Sequence, residues 1–314
     1  MLKQTHKSLL LSAFALGITT LSFGQTLLTS EPSAGKVNSP YNRYGIGSLR
    51  DGRSAGLKAM GGVSTGYISS TAINSYNPAS YGFLARTNFE FAIEGASNKI
   101  SMGDQNYQSG SFTINHLNFA FPILNSRLGF NLGFEPLTNN YYYSGDTVDV
   151  TGLGRTLQIY KGTGNLQVAR IGLGGGIKNL KVGANVGYIF GTTNQSTYIN
   201  YIDTAKIGGR NTEYTAETQT KGLELRTGLL YRIQLPKDQY INLGATAKFG
   251  QTMHLKTNDY FMAGTGSGTS PTTALTDTIY KNDELKSTYK MPTEYAVGIH
   301  YGKFGNYNLG LDYT

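Results

Sequence analysis

LKVGANVGYIFG, residues 180–191, alternates with a period of two. Its even positions carry Leu180, Val182, Ala184, Val186, Tyr188 and Phe190, against Lys181, Gly183, Asn185, Gly187, Ile189 and Gly191 on the odd ones. Successive residues of a strand point to opposite faces, so this is a strand with one apolar face and one small or polar face, Ile189 being the exception. The same split recurs in 128–134 (Leu128, Phe130, Leu132 and Phe134 against Gly129, Asn131 and Gly133), in 241–249 and in 295–301. The fold class is therefore all-β and antiparallel.

A soluble β-sandwich also alternates, but its second face must build a dry core. Here that face is Gly, Asn, Lys, Arg, Glu and His, a set suited to a polar lumen. Aromatic residues such as Tyr141, Tyr188, Phe190, Tyr231, Tyr260 and Tyr301 sit near strand ends, as an interfacial girdle would. Turns at 124–126, 178–179, 236–238 and 304–305 are tight, while 144–162, 203–212 and 262–284 read as long polar loops. Short turns on the periplasmic side and long outer loops mark an outer-membrane β-barrel whose N-terminus is periplasmic. Counting strands from residue 87 leaves an odd number, so the expectation is a barrel incomplete at the C-terminus.

The composition agrees. With 41 Gly, 23 Tyr, no Trp and no Cys, and a mean hydropathy of -0.28, the chain cannot be a bundle of membrane helices. One apolar run, residues 9–23, follows Lys3 and Lys7 and precedes the small residues of Ser22-Phe23-Gly24, the layout of a signal peptide cleaved near Gly24. Cleavage would remove two of the 27 Lys and Arg and none of the 19 Asp and Glu, taking the net charge from +8 to +6. An exported chain without Cys has neither disulfide nor lipid anchor to stabilise it. The basic residues are scattered, which argues against nucleic acid and for lipid headgroups or lipopolysaccharide.

Three regions follow: a signal peptide at 1–24, an N-terminal arm and hatch at 25–86, and a transmembrane β-barrel at 87–314. The stretch 53–80, RSAGLKAMGGVSTGYISSTAINSYNPAS, is the hatch. Its glycines, Gly61 and Gly62 among them, favour close packing, and Pro78 forces Asn77 out of the helical region into a sharp turn.

SPYNRYGIG at 39–47, GRSAGLKAMGGVSTG at 52–66, NPAS at 77–80 and GYIFG at 187–191 together resemble the FadL/TodX transporters of hydrophobic compounds, in particular divergent members with NPAS. That resemblance implies about fourteen strands, a hatch element at Asn77, Pro78 and Ala79 that moves when substrate binds, and a hydrophobic, fatty-acid-like small-molecule ligand. It implies passive uptake across the bacterial outer membrane. The alternative is a barrel without transport that serves as a structural or accessory subunit of an outer-membrane secretion or surface-assembly complex, with a protein partner.

Polar residues on the inward phase are Glu90, Glu94, His116, Arg226 and His300, with Glu135, Arg170, Glu224, Arg232 and Lys248. They either form a polar pathway, latch the hatch through Arg43, Arg50 or Arg53, or neutralise one another across the lumen. The histidines have no GxSxG context, the acidic residues of 262–284 lack the spacing of a calcium loop, and GLGGG at 172–176 lacks a phosphate-loop ending. No enzyme, cofactor or metal is expected.

Overall fold

The computed structural model describes residues 39–102, 105–124, 127–151, 154–202, 210–264 and 275–314. The signal-peptide reading and the tips of the longest connections lie outside the described residues.

Two short elements open the described chain: a 3-10 turn at Pro40–Arg43 and the two-residue strand β1 (Ser48–Leu49). A one-turn helix, α1 (Ala55–Ala59), and a 3-10 helix, Pro78–Phe83, follow. Strands occupy the rest: β2 (Asn88–Met102), β3 (Gln105–Leu124), β4 (Leu128–Pro136), β5 (Thr138–Asn139), β6 (Tyr142–Val150), β7 (Gly154–Ile177), β8 (Leu180–Tyr201), β9 (Asn211–Leu235), β10 (Gln239–Lys248), β11 (Gln251–Gly264), β12 (Leu275–Met291), β13 (Glu294–Lys303) and β14 (Tyr307–Tyr313).

Twelve of these form one antiparallel sheet along the path β14-β13-β10-β9-β8-β7-β4-β3-β2, with β6 on β7, β11 on β9 and β12 on β11. The sequence leads to a barrel of about fourteen strands if complete, but incomplete at the C-terminus; the described residues form an open sheet, with β2 and β14 as its edges, and not a closed barrel. Every ladder on the path is antiparallel and the ladders are even in number, so the edge strands run the same way. An antiparallel ladder between β2 and β14 is therefore impossible, and about fourteen strands around a closed wall are not what the described sheet contains.

Face polarity is inverted relative to a water-soluble protein. Leu180, Val182, Val186 and Tyr188 are exposed on β8, whereas Lys181 and Asn185 between them are 1% exposed. Ile171, Leu173, Leu223, Leu225, Leu229, Leu243, Val297 and Ile299 continue the exposed apolar face on neighbouring strands. Tight turns close the strands at one end, through left-handed Lys178, Lys237, Asp238 and Gly305. At the other end the sequence reading needs correction. Residues 144–150 and 154–162, and among 262–284 the described residues 262–264 and 275–284, are strand, β6 on β7 and β11 on β12, with most β12 side chains exposed. Two long strands are interrupted rather than continuous. Pro292, which has no N–H to give a ladder, separates β12 from β13, and the Gly250 N–H opposite turns to Thr293 Oγ1 at 2.8 Å.

The buried face is covered by residues 39–84 of the chain itself. Asn77, Pro78, Ala79 and Tyr81 lie across four glycines that stand in register on adjacent strands: Gly129 pairs with Gly174, Gly174 with Gly183, and Gly183 with Gly228. A Cβ at Gly129 would strike the Tyr81 carbonyl oxygen, one at Gly174 the Pro78 carbonyl oxygen, one at Gly183 the Pro78 carbonyl carbon, and one at Gly228 the Asn77 side chain. A second pair in register, Gly244 and Gly298, receives Thr65 and Gly66. The inner face is not uniformly polar, because Leu166, Val168, Ile189, Met253 and Met291 form an apolar cluster with Leu137. Ile46 of the arm packs on it, and β1 pairs with β5 beside it.

Gly183→Val forces the 3-10 helix off its seat, and overpacking of this kind costs about 1–3 kcal/mol. Urea unfolding followed by far-UV circular dichroism will show a lower midpoint for Gly183→Val. Ala184→Val, one residue along on the exposed face, will leave the midpoint unchanged.

Candidate functional site

The site is the contact between residues 50–84 and the inner face. Its local structure starts with two caps. Ser54 Oγ accepts from Leu57 N at 3.4 Å and begins α1. Left-handed Gly61 and Gly62 (φ 75° and 84°) end it, with Gly62 N donating to Leu57 O at 2.8 Å. Close packing does not explain Gly61, around which a Cβ would meet nothing, whereas at Gly62 the Arg53 guanidinium fills the space. The pair is needed for its backbone conformation; the close packing is done by strand glycines.

Asn77 caps the second helix, its Oδ1 accepting from Ala79 N at 3.1 Å. Its Nδ2 donates to Thr65 O at 2.7 Å and to Leu229 O of β9 at 3.2 Å. One side chain thus ties together the helix start, the preceding loop and the wall. Pro78 fills the first helical position, where its missing N–H costs nothing. Ala79 is fully buried against Leu230 and Ile68. Tyr81 OH bonds Asn185 at 3.1 Å and Asn185 Nδ2 returns to Ser75 O at 2.9 Å. Burial pushes the Tyr81 phenol well above its ordinary range, so it remains a neutral donor.

The polar residues expected in the lumen mostly face this segment. Glu90 Oε1 accepts from Ile73 N at 2.7 Å, and Glu94 pairs with Lys58 at 2.5 Å and Arg50 at 3.8 Å. Arg226 stacks on the Tyr76 ring at 4.5 Å, with Arg53 at 4.9 Å. Burial, and then the charge of Glu135, raises the Tyr76 phenol, which donates to Asp51 at 3.3 Å. His300 meets Tyr67 edge to face at 5.5 Å. His116 lies 3.7 Å from Glu90 and beside Asn115, whose amide donates to Arg53 O at 3.1 Å. Of the arginines weighed from the sequence, Arg50 is the one that reaches Glu94, and Arg170 lies between Glu135 at 2.5 Å and Glu224 at 2.6 Å. Arg43 instead stacks on Tyr160 at 3.8 Å.

Sequence reading missed two features. Asp312 of β14 accepts from both Ser64 N and Thr65 N at 2.7 Å, a contact across 247 and 248 residues that only the fold reveals. The glycine row had a signal, glycine on the inward phase of several strands, but its meaning depends on register. A cavity of about 390 Å³ remains between the segment and the wall, bordered by Arg53, Thr65, Tyr76, Arg226, Lys248 and Asp312. Among the described residues no group of His, Asp and Glu could hold a metal ion, and no helix is long and apolar enough to cross a membrane.

A family model described as BamG matches residues 15–314. No curated protein and no solved structure matches. This overturns the resemblance to FadL/TodX transporters. NPAS, one of the four stretches that carried the resemblance, is what a short local problem demands: an Asn cap, a Pro with no N–H to lose, and small residues to lie on glycines.

Arg170→Met leaves two buried carboxylates without their cation and will lower stability by about 3–5 kcal/mol. Chemical unfolding will show part of that loss recovered when Glu224→Gln is added. Asn77→Ala removes the cap and both carbonyl contacts, for a loss of about 1–2 kcal/mol in the same measurement.

Proposed function

This chain belongs to the BamG family, a family named for the BAM outer-membrane assembly complex, and from that premise we propose that it is a structural or accessory subunit of outer-membrane assembly. The observation that carries the reading is the family match over residues 15–314. Its support in the fold is a sheet with an exposed apolar face and a buried polar one. In this reading the sheet is part of the wall of an outer-membrane barrel, its apolar face turned to lipid and ladders satisfying the backbone polar groups of the strands between its edges. The segment 39–84 is a fixed plug and needs no movement to act. Hydrophobic uptake, the other expectation from sequence, loses its ground with the transporter resemblance. A protein partner replaces the small-molecule ligand, and no catalytic role is assigned.

The mechanism is scaffolding. Ladder, glycine row and ion pairs make one rigid body, so the outer surface can present the same shape to a partner throughout its working cycle. Affinity purification of the tagged full-length chain from native membranes, followed by mass spectrometry, is the test. The central barrel subunit of the assembly machinery will co-purify in near-stoichiometric amount, and depletion of the chain will lower the abundance of other outer-membrane barrels. A chain that purifies alone, with depletion impairing only uptake of hydrophobic solutes, would sink the proposal.

A further inference from the structure

We infer that the outer face of β9, β11 and β12 carries a binding site for the phosphate groups of an anionic glycolipid in the outer leaflet. The inference rests on the membrane placement proposed above and adds a ligand to it. Five basic side chains share that face through the strand register. Lys221 stands opposite His254, Lys256 opposite Lys286, and Lys290 opposite Thr252, two residues from His254 on β11. All five are exposed. Directly opposed like charges destabilise a ladder, and Lys256 and Lys286 are such a pair. Glu284 answers Lys256 at 2.7 Å. Lys221, Lys286 and Lys290 make no ion pair with a described residue. Between them lies a depression of about 420 Å³, floored by Gln219, Leu255 and Thr288.

Position decides the ligand. On β8 the outward apolar series runs from Leu180 to Phe190 and gives way to Thr192 and Asn194. Ten residues of strand rise about 33 Å, or about 25 Å along the membrane normal at the usual tilt, which is the height of a barrel's apolar band. Lys221 is the register partner of Phe190, the last residue of that series, and Leu223 next to it on the same face is 65% exposed. Tyr188 and Phe190 stack at 5.8 Å at the same level. The cations thus begin where the apolar band ends, at the end of the sheet away from the tight turns, which is the outer-leaflet side. A ligand with phosphates at headgroup height and acyl chains against the band satisfies both parts at once; a soluble anion would leave the apolar part unused.

The test uses the full chain, folded and inserted in phosphatidylcholine vesicles, with heat-dependent gel migration and protease protection to verify insertion. Retention of diphosphoryl lipid A by the detergent-extracted protein is then read by native mass spectrometry. The variant Lys221→Gln/Lys256→Gln/Lys286→Gln/Lys290→Gln will lose binding by about tenfold or more. Lys178→Gln/Lys237→Gln/Lys303→Gln, at the opposite end, will bind like the parent, and lipid A without phosphates will not be retained. Equal loss in both variants, or equal retention of the dephosphorylated lipid, overturns the site. So does phosphatidylglycerol binding as tightly with the same dependence on the four lysines, because the ligand would then be any anionic lipid. Failure of the parent to insert in vesicles removes the membrane reading itself, whereas insertion with unchanged binding by the four-lysine variant removes only the patch.

Discussion

Two backbones can come into direct contact only where no Cβ stands between them, and the row Gly129, Gly174, Gly183 and Gly228 meets that condition across four neighbouring strands. The row lets the turn at Asn77, Pro78 and Ala79 lie flat on the wall, and the other contacts follow from that seat. With Pro78 over Gly174 and Gly183, Asn77 reaches the Leu229 carbonyl and Tyr81 reaches Asn185. The chain before the turn is then led to Gly244 and Gly298, where Asp312 receives its amides. Glycine weakens a strand interior on its own account. Here the loss is offset because the missing side chains are replaced by backbone of Pro78 and Tyr81 at Gly129, Gly174 and Gly183 and by the Asn77 side chain at Gly228.

The inner face and the segment depend on each other for a second reason. Buried polar groups cost free energy unless they are paired. Asn185, Glu90 and Glu94 obtain partners from the segment, while Arg170 with Glu135 and Glu224, and Lys248 with Glu294, pair within the sheet. The segment is held by hydrogen bonds and by contact over glycine, and also by buried apolar residues of its own, Leu57, Ile68, Ile73, Ala79, Tyr81 and Leu84. Its largest apolar anchorage lies at Tyr81, Leu84 and Ile73 against Ala120.

Much of this fold was legible in the sequence. The alternation in 180–191 gave strand and faces correctly, down to buried Ile189, and the tight turns fell where Lys178, Asp238 and Gly305 placed them. The failures have physical causes. Residues 144–150 of β6 and 275–284 of β12 read as loop because their side chains are mostly polar and exposed; backbone pairing makes them strand. Strand parity leads to a barrel incomplete at the C-terminus, and the described sheet is open, but which strands form its edges, β2 and β14, depends on pairings that no single segment encodes. Glycines were credited to the hatch, where two of them serve as turn residues, because the strand glycines acquire meaning only once their register is known. SPYNRYGIG, GRSAGLKAMGGVSTG, NPAS and GYIFG pointed to the wrong family for the same reason: short stretches report a local geometry and not a lineage.

That geometry also bears on whether the plug moves. The segment is fixed to β2 by Ile73 and Lys58, to β8 and β9 by Ser75, Asn77 and Tyr81, and to β14 by Ser64 and Thr65. These ties are spread over most of the width of the sheet, so a path along the inner face cannot open by breaking one of them. At about 0.5–1.5 kcal/mol net for each hydrogen bond, and more for those to charged groups, displacement costs several kcal/mol before any buried carboxylate is left bare. A ligand shifts such an equilibrium only by its difference in affinity for the two states, and a micromolar solute has about 8 kcal/mol in total to spend. A solute would therefore have to bind the open form almost exclusively. A partner that docks on the outer face asks for no such difference, because it leaves the ties between the segment and the sheet unbroken.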